Sequence, residues 1–198
     1  MAFATIKRGA NRTYSVLSEY SSPFFISKEL LDKFSLKIDS QLTEEEFYSL
    51  KEKVLSFNCR KKALEYLSRR EHTTKELKIK LSQKDFPPEI IDKQLEKLEN
   101  ENLLNDKRFA QQLIYSRQLK NPEGPALLIQ RLIAKGVSRT TAAETVTIYF
   151  EDEQNLKTSL DKAVQRAKRK KGSLEQELRK KGFSYTHIRE YLESDGSS

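Results

Sequence analysis

The sequence lacks most of what a disulfide, a membrane span or a turn-rich β fold would need. It has one cysteine, Cys59, so no internal disulfide can form and an oxidising compartment is not implied. No stretch approaches the roughly 20 apolar residues that a membrane helix requires, and the N-terminus lacks the apolar run of a signal peptide. Only six glycines and five prolines interrupt the 198 residues. We therefore expect a soluble, cytoplasmic, mainly helical protein.

The sequence also lacks the usual catalytic and metal-binding patterns. Its two histidines, His72 and His187, stand far apart, and no H-E-x-x-H motif, cysteine pair or glycine-rich phosphate loop is present. Cys59 is expected to pack as a small hydrophobe. The acidic runs at 44–46 and 151–153 are explained by the dipole of a helix that begins there. We expect no enzyme activity, no cofactor and no metal.

What the sequence does contain is an internal repeat. Three segments of equal length align without gaps: Leu77–Leu95, Leu128–Val146 and Leu174–Leu192. Leucines spaced four apart predict the buried stripe of a first helix in each segment. A sharp corner and a second helix follow, and the corners are Lys84-Asp85, Lys135-Gly136 and Lys181-Gly182. Glycine adopts the left-handed conformation of such a corner freely, and aspartate tolerates it better than most residues.

Capping residues support these helix boundaries. Thr73 with Glu76, and Ser173 with Gln176, match the S/T-x-x-E/Q capping box at the start of a first helix. Start signals for the second helices are Ser138, Ser184 and the early helical Pro88. The break N-P-E-G-P at 121–125 lengthens the loop in the middle repeat.

A further helix is expected before each pair, at 60–70, 106–120 and 152–170. The second of these carries an apolar stripe that we expect to include Phe109, Leu113 and Leu119. The prediction is an all-α protein of three tandem three-helix repeats, at residues 58–105, 106–150 and 151–194, followed by a flexible tail at 195–198.

Residues 1–57 differ in character from the repeats and are expected to form a small N-terminal extension. Strands at 5–8 and 13–17 flank the G-A-N stretch at 9–11, which predicts a β-hairpin. A short third strand is expected at 24–26. Thr43 and three acids then predict a helix that runs to about Phe57.

The charge is strongly positive and unevenly distributed. The formal net charge is +8. Residues 60–84 hold nine Lys or Arg against three acids, and residues 165–181 hold eight against two, so each segment carries +6. Residues 85–105 hold two against six, which gives −4. This pattern favours a partner that mixes phosphate with protein.

The candidate contact residues are four cations of the first basic segment, all eight of the second, and two of the middle repeat. They are Arg69, Arg70, Lys75, Lys78, Arg131, Lys135, Arg166, Lys168, Arg169, Lys170, Lys171, Arg179, Lys180 and Lys181. A bland interpretation competes with this one, because cations near a helix C-terminus also suit the helix dipole. Sequence-specific DNA reading is not expected, because the second helices, at 88–100, 138–150 and 184–193, are acidic or nearly neutral.

Three phrases of the sequence resemble the RecX family, bacterial regulators of the RecA recombinase. They are ALEYLSRREHTTKEL (63–77), LENENLLNDKRFAQQLIYSR (98–117) and GPALLIQRLIAKGVS (124–138). The resemblance implies a crescent of three-helix repeats that lies in the groove of the RecA–DNA filament. It further implies that binding dampens ATP hydrolysis, strand exchange and co-protease activity.

Two alternatives stay open. The chain could be a helical-repeat adaptor for another acidic protein, or it could bind single- or double-stranded DNA nonspecifically without any recombinase. The leading expectation is a protein that binds the RecA filament and also touches DNA. It is expected to be a monomer, and no membrane contact is expected.

Overall fold

The computed structural model describes residues 3–9, 13–169 and 172–195. An N-terminal group of elements consists of β1 (Ala4–Arg8), β2 (Thr13–Ser18), β3 (Phe24–Ser27), α1 (Lys28–Lys33) and β4 (Gln41–Leu42). The helices that follow are α2 (Glu44–Leu67), α3 (Thr74–Ser82), α4 (Pro88–Asn100), α5 (Asp106–Lys120), α6 (Pro125–Ala134), α7 (Arg139–Glu151), α8 (Glu153–Ala167), α9 (Leu174–Lys180) and α10 (Tyr185–Asp195).

The chain divides into two compact units. The first comprises Met1–Glu65 with Leu81–Glu96, and the second comprises Tyr66–Lys80 with Lys97–Ser198. Among the described residues, no helix is both long enough and apolar enough to cross a membrane. The expected tail at 195–198 lies, beyond Asp195, outside the described residues.

The N-terminal extension is a four-stranded antiparallel sheet with strand order β3-β2-β1-β4. Alternate residues of the strands are buried, as a sheet with one covered face requires, and Ile6, Val16 and Ile26 are almost completely inaccessible. They share a core with Phe47 of α2. The three expected strands are confirmed, and of the G-A-N stretch at 9–11 residues 10 and 11 lie outside the described residues. The fourth strand and α1 were not expected.

One long helix replaces the two that the sequence predicted at its start. The expected break between Phe57 and Arg60 is wrong, because α2 runs without interruption from Glu44 to Leu67. Neither glycine nor proline stands there to end it. Cys59 is fully buried within this helix, as expected for a small hydrophobic residue, and burial raises the pKa of its thiol to about 11.

The helix pairs and their corners are confirmed. The backbone is left-handed at all three corners, with φ of 60° at Asp85, 99° at Gly136 and 87° at Gly182. The second leucine of each stripe is completely buried, at Leu81, Leu132 and Leu178. The sequence period therefore reports a true repeat of structure.

Of the helix caps predicted in the repeats from serine and threonine, three are confirmed and one is wrong. The Ser138 and Ser184 hydroxyls accept N–H bonds from Thr141 and His187, as expected. Thr73 also accepts the N–H of Glu76, at 3.0 Å. Ser173 makes no side-chain cap bond, so its predicted capping box is wrong.

The apolar stripe of α5 was also placed incorrectly at its end. Phe109 is buried, but Leu119 is 72% exposed. Gln118 takes the buried position instead, because its side-chain amide donates to the carbonyl of Glu123 and accepts the N–H of the same residue.

Each repeat is joined to the next by a hydrogen bond to a corner carbonyl, and both joints lie within the second unit. In the first joint, the hydroxyl of Thr73 donates a 2.7 Å bond to the carbonyl of Lys135. In the second joint, the N–H of Gly124 donates a 2.7 Å bond to the carbonyl of Lys181. In the repeat alignment Gly124 corresponds to Thr73, and Lys181 corresponds to Lys135. Equivalent positions of the repeat therefore meet twice, through a side-chain donor at Thr73 and a main-chain donor at Gly124.

The joints also explain where glycine is needed. A Cβ atom on Gly182 would lie 2.5 Å from the backbone nitrogen of Leu127, and one on Gly124 would lie 2.5 Å from the backbone of Gly182. A Cβ on Gly136 would meet the side-chain stem of Lys75 at the same distance. Asp85 carries a Cβ at the first corner, and that corner is exposed. Glycine is therefore demanded at the third corner by the main chain of Leu127 and at the second corner by the side-chain stem of Lys75.

We predict that Gly182→Ala destabilises the protein by roughly 2–4 kcal/mol, as overpacking against a fixed backbone adds to the strain of alanine at positive φ. Asp85→Ala is the matched control, because it also places alanine in a left-handed corner but not in a joint. Its expected loss is below about 1 kcal/mol. The measurement is urea unfolding at equilibrium, and equal losses for the two variants would show that the joint is not close-packed.

Candidate functional site

The first basic segment places two lysines at the first joint. The aliphatic stem of Lys75 lies against Gly136, and the side chains of Lys75 and Lys135 are both exposed. Lys78, three residues further along α3, is exposed on the same helix, and Arg69 is exposed just before it. Folding thus brings together lysines that are about 60 positions apart in the sequence.

Arg70, by contrast, already has a partner inside the protein. Its guanidinium donates two bonds to the carboxylate of Glu76, at 3.0 and 2.6 Å. These bonds are the main reason why the pKa of Glu76 is lowered to about 2. The buried imidazole of His72 has its Nδ1 atom 3.1 Å from Glu76 Oε2. Burial lowers the pKa of His72, and the charge of Arg70 lowers it further.

The second basic segment converges on the end of α5. Arg166 donates a 2.6 Å bond to the carbonyl of Lys120 and a 3.3 Å bond to the side-chain oxygen of Asn121. Lys181 donates a 2.7 Å bond to that same oxygen. Two cations therefore meet at the negative end of a helix dipole, beside the second joint.

Beyond this contact, further cations of the segment point outwards. Lys168 and Arg169, after the end of α8, and Arg179 of α9 are exposed. Lys180 is also exposed and makes a 2.9 Å bond to Glu177. We call Lys168, Arg169 and Arg179 the outer cations. Two other candidates, Lys170 and Lys171, lie outside the described residues.

A buried carboxylate fixes the N-P-E-G-P break and engages another candidate. Glu123 is completely buried, and its side chain accepts bonds from Arg117 and, at 2.6 Å, from Arg131. The main chain of Glu123 is held in both directions by Gln118. Arg131 therefore forms an ion pair with Glu123 inside the protein, whereas the sequence had suggested that it contacts another molecule.

Sequence reasoning missed Asn121 and Glu123 as organising residues. The only signal was the unusual loop itself, because a glutamate between two prolines gives no hint that arginines 6 positions before and 8 positions after will enclose it. Within the described ranges, no group of three or more His, Cys, Asp or Glu side chains is arranged to hold a metal ion.

Fold and surface together define a class of protein: tandem three-helix repeats that bear two groups of exposed cations. Comparison with family models finds the RecX first three-helix domain at residues 59–98 and the RecX second three-helix domain at 105–146.

Similar proteins give the same result over most of the chain. A regulatory protein RecX of Streptococcus sanguinis is 30% identical over 185 residues, which cover 90% of this chain and 71% of the relative. One from Clostridioides difficile is 32% identical, covering 85% and 84%. A crystal structure of regulatory protein RecX superposes with a TM-score of 0.68 at 21% identity, covering 96% and 99%, and supports the fold. The chain belongs to the RecX family of regulatory proteins.

We predict that Glu123→Gln destabilises the protein by about 2 kcal/mol, because two charge-assisted bonds are weakened at a buried site. The loss is limited because Arg117 and Arg131 are about one third and two fifths exposed, so water can hydrate them. Urea unfolding at pH 7 measures the change. Glu144→Gln on the exposed face of α7 is the control and should shift stability by less than about 0.5 kcal/mol. Equal losses of stability in the Glu123→Gln and Glu144→Gln variants would show that the Glu123 ion pairs do not stabilise the fold.

A second prediction concerns pH. The pKa of His72 is lower in the folded than in the unfolded protein, so the unfolded chain binds more protons in the window just below 6.5. Stability should therefore rise with pH through that window and level off above it. His72→Gln should make this rise shallower, because it removes the imidazole whose pKa folding lowers. Unfolding free energies between pH 5 and 7.5 provide the test, and parallel curves would contradict it.

Proposed function

We propose that this chain binds the filament that RecA forms on DNA, and that binding lowers the filament's ATP hydrolysis, strand exchange and co-protease activity. Membership of the RecX family supports a regulatory role. The single observation that supports contact with the filament is the set of outer cations, Lys168, Arg169 and Arg179, which are exposed on the second unit.

The physical reason is that exposed cations can replace the counterions condensed on DNA. Each phosphate that a Lys or Arg neutralises releases counterions, so affinity falls as salt rises. Arg70 and Arg131 are left out of the proposed contact, because Glu76 and Glu123 already engage them. Lys75 and Lys135 at the first joint provide a second cationic contact site for phosphate. The acidic stretch at 85–105 suits basic protein surfaces rather than phosphate.

Two rivals make different predictions. A nonspecific nucleic-acid-binding protein would bind bare DNA as tightly as it binds the filament and would alter no RecA activity except by competing for DNA. An adaptor for another acidic protein would bind neither. Co-sedimentation with DNA alone, with RecA alone and with the assembled filament separates these outcomes.

The test of the outer cations is the triple variant Lys168→Ser, Arg169→Ser, Arg179→Ser. It should suppress RecA's DNA-dependent ATP hydrolysis less effectively than the parent protein. The slope of log affinity against log salt should also become shallower, by up to about 2 if each residue loses one phosphate contact on a single strand at about 0.7 each. A salt series with both proteins gives the two quantities together.

The matched control removes three exposed lysines from the N-terminal unit, as Lys28→Ser, Lys37→Ser and Lys53→Ser. Net charge then changes equally in both variants, so a difference between them reports position. No suppression by the parent protein would overturn the proposed function. If the parent suppresses ATP hydrolysis and both variants suppress it as strongly as the parent does, the outer cations only face solvent.

A further inference from the structure

A cleft of about 470 Å³ opens between α5, α7 and α8 of the second unit, and none of the candidate contact cations lines it. Its walls include Gln111 and Tyr115 of α5, Ile148 and Tyr149 of α7, and Asp152, which caps α8. This volume lies within the range of small-ligand and side-chain pockets in proteins.

The cleft presents apolar surface that the fold itself does not use. Tyr115 is 62% exposed and Ile148 is 54% exposed at its walls. Leu119 lies one turn beyond Tyr115 on α5 and therefore continues the same face, at 72% exposure. Single exposed apolar residues are common, but a contiguous set that lines a concavity marks a binding site.

The walls are held in place before any partner arrives. The rings of Tyr115 and Tyr149 meet edge to face at 5.7 Å, and Tyr149 meets Phe150 in the same way at 5.0 Å. The side chain of Asn155 donates a 3.0 Å bond to the carbonyl of Tyr149, which ties α8 to the end of α7. A preformed pocket of this kind loses little entropy on binding.

The charge of the cleft indicates which partner it suits. Lys107 and Asp152 are the charged residues at its walls, so the cleft is neutral in a chain of net charge +8. A neutral pocket with a carboxylate at its rim does not attract a phosphate backbone. Exposed aliphatic side chains such as Ile148 gain most by burial against other apolar side chains. A protein surface fits these conditions better than nucleic acid does.

We propose that this cleft receives a large apolar side chain of the filament's protein subunits, while the outer cations meet phosphate. The inference rests on the proposed function and deepens it, because it assigns protein contact and DNA contact to different surfaces of one unit. The expected anchor is a bulky aliphatic or aromatic residue whose polar neighbours can pair with Lys107 and Asp152. Such central anchors carry much of the energy of a protein interface.

The test is the double variant Tyr115→Ala, Ile148→Ser, compared with Tyr20→Ala, which removes an aromatic ring of similar exposure from the other unit. Binding of each labelled protein is titrated against the assembled RecA–DNA filament and, separately, against single-stranded DNA. The cleft variant should bind the filament at least tenfold more weakly. Its affinity for DNA alone should be unchanged, and the Tyr20 variant should behave like the parent.

Each other outcome has a distinct meaning. If the parent protein does not bind the filament, the proposed function fails and the cleft proposal fails with it. If the parent binds and the cleft variant binds equally well, the cleft proposal alone is overturned. Weaker binding to DNA alone would instead assign the cleft to base stacking. A parent dimer that becomes a monomer in the variant, seen by sedimentation, would assign it to a second copy of the chain. Thermal unfolding checks that each variant is folded, and Ile148→Ser alone serves if the double variant is not.

Discussion

The contact on which the repeats of the second unit depend is the hydrogen bond at each joint, where a corner carbonyl meets the start of an earlier helix. The donor is the Thr73 hydroxyl in the first joint and the Gly124 main chain in the second. Such an approach leaves no room for a Cβ atom at the corner, so the second and third corners are glycine and their helices must end there. Among the described residues no main-chain group donates a hydrogen bond to the Lys84 carbonyl at the first corner, and this corner carries Asp85. One steric constraint thus accounts for where the repeat is strict and where it is relaxed.

The joints also determine which charges are available to a partner. Each of the two joints brings a corner lysine, Lys135 or Lys181, next to the start of a helix in the preceding repeat. Other cations form ion pairs inside the protein: Arg70 pairs with Glu76, and Arg131 pairs with Glu123. The net charge of +8 is therefore an incomplete guide to the surface. What matters for a polyanion is the subset of cations left facing solvent after these internal pairs have formed.

The repeat, the corners and the first three strands could be predicted because each depends on local pattern: leucine spacing, glycine at positive φ and alternating burial. Three features were missed: one is a helix that no residue signals to end, and two depend on hydrogen bonds to Glu123 in a loop whose conformation has no local pattern. The helix α2 continues past Phe57 because nothing stops it, and Leu119 is displaced from the core because Gln118 binds the main chain of Glu123. Arg131 looked like a surface cation because its acidic partner lies in a loop whose conformation the sequence did not reveal. The candidate cations were identified by composition, whereas the cleft between α5, α7 and α8 required the packed helices.

If one unit of this RecX family member meets the filament through two separate surfaces, one cationic and one apolar, as we propose, hydrogen exchange should detect both. The chain is measured free and bound to the assembled RecA–DNA filament, because hydrogen exchange maps contact without any substitution. Amide exchange should slow on binding in two places, around the end of α8 with α9 and along the facing turns of α5 and α7. Amides of the N-terminal sheet should exchange as they do in the free protein. Protection confined to that sheet, or no change at either surface despite saturated binding, would rule out two-surface contact.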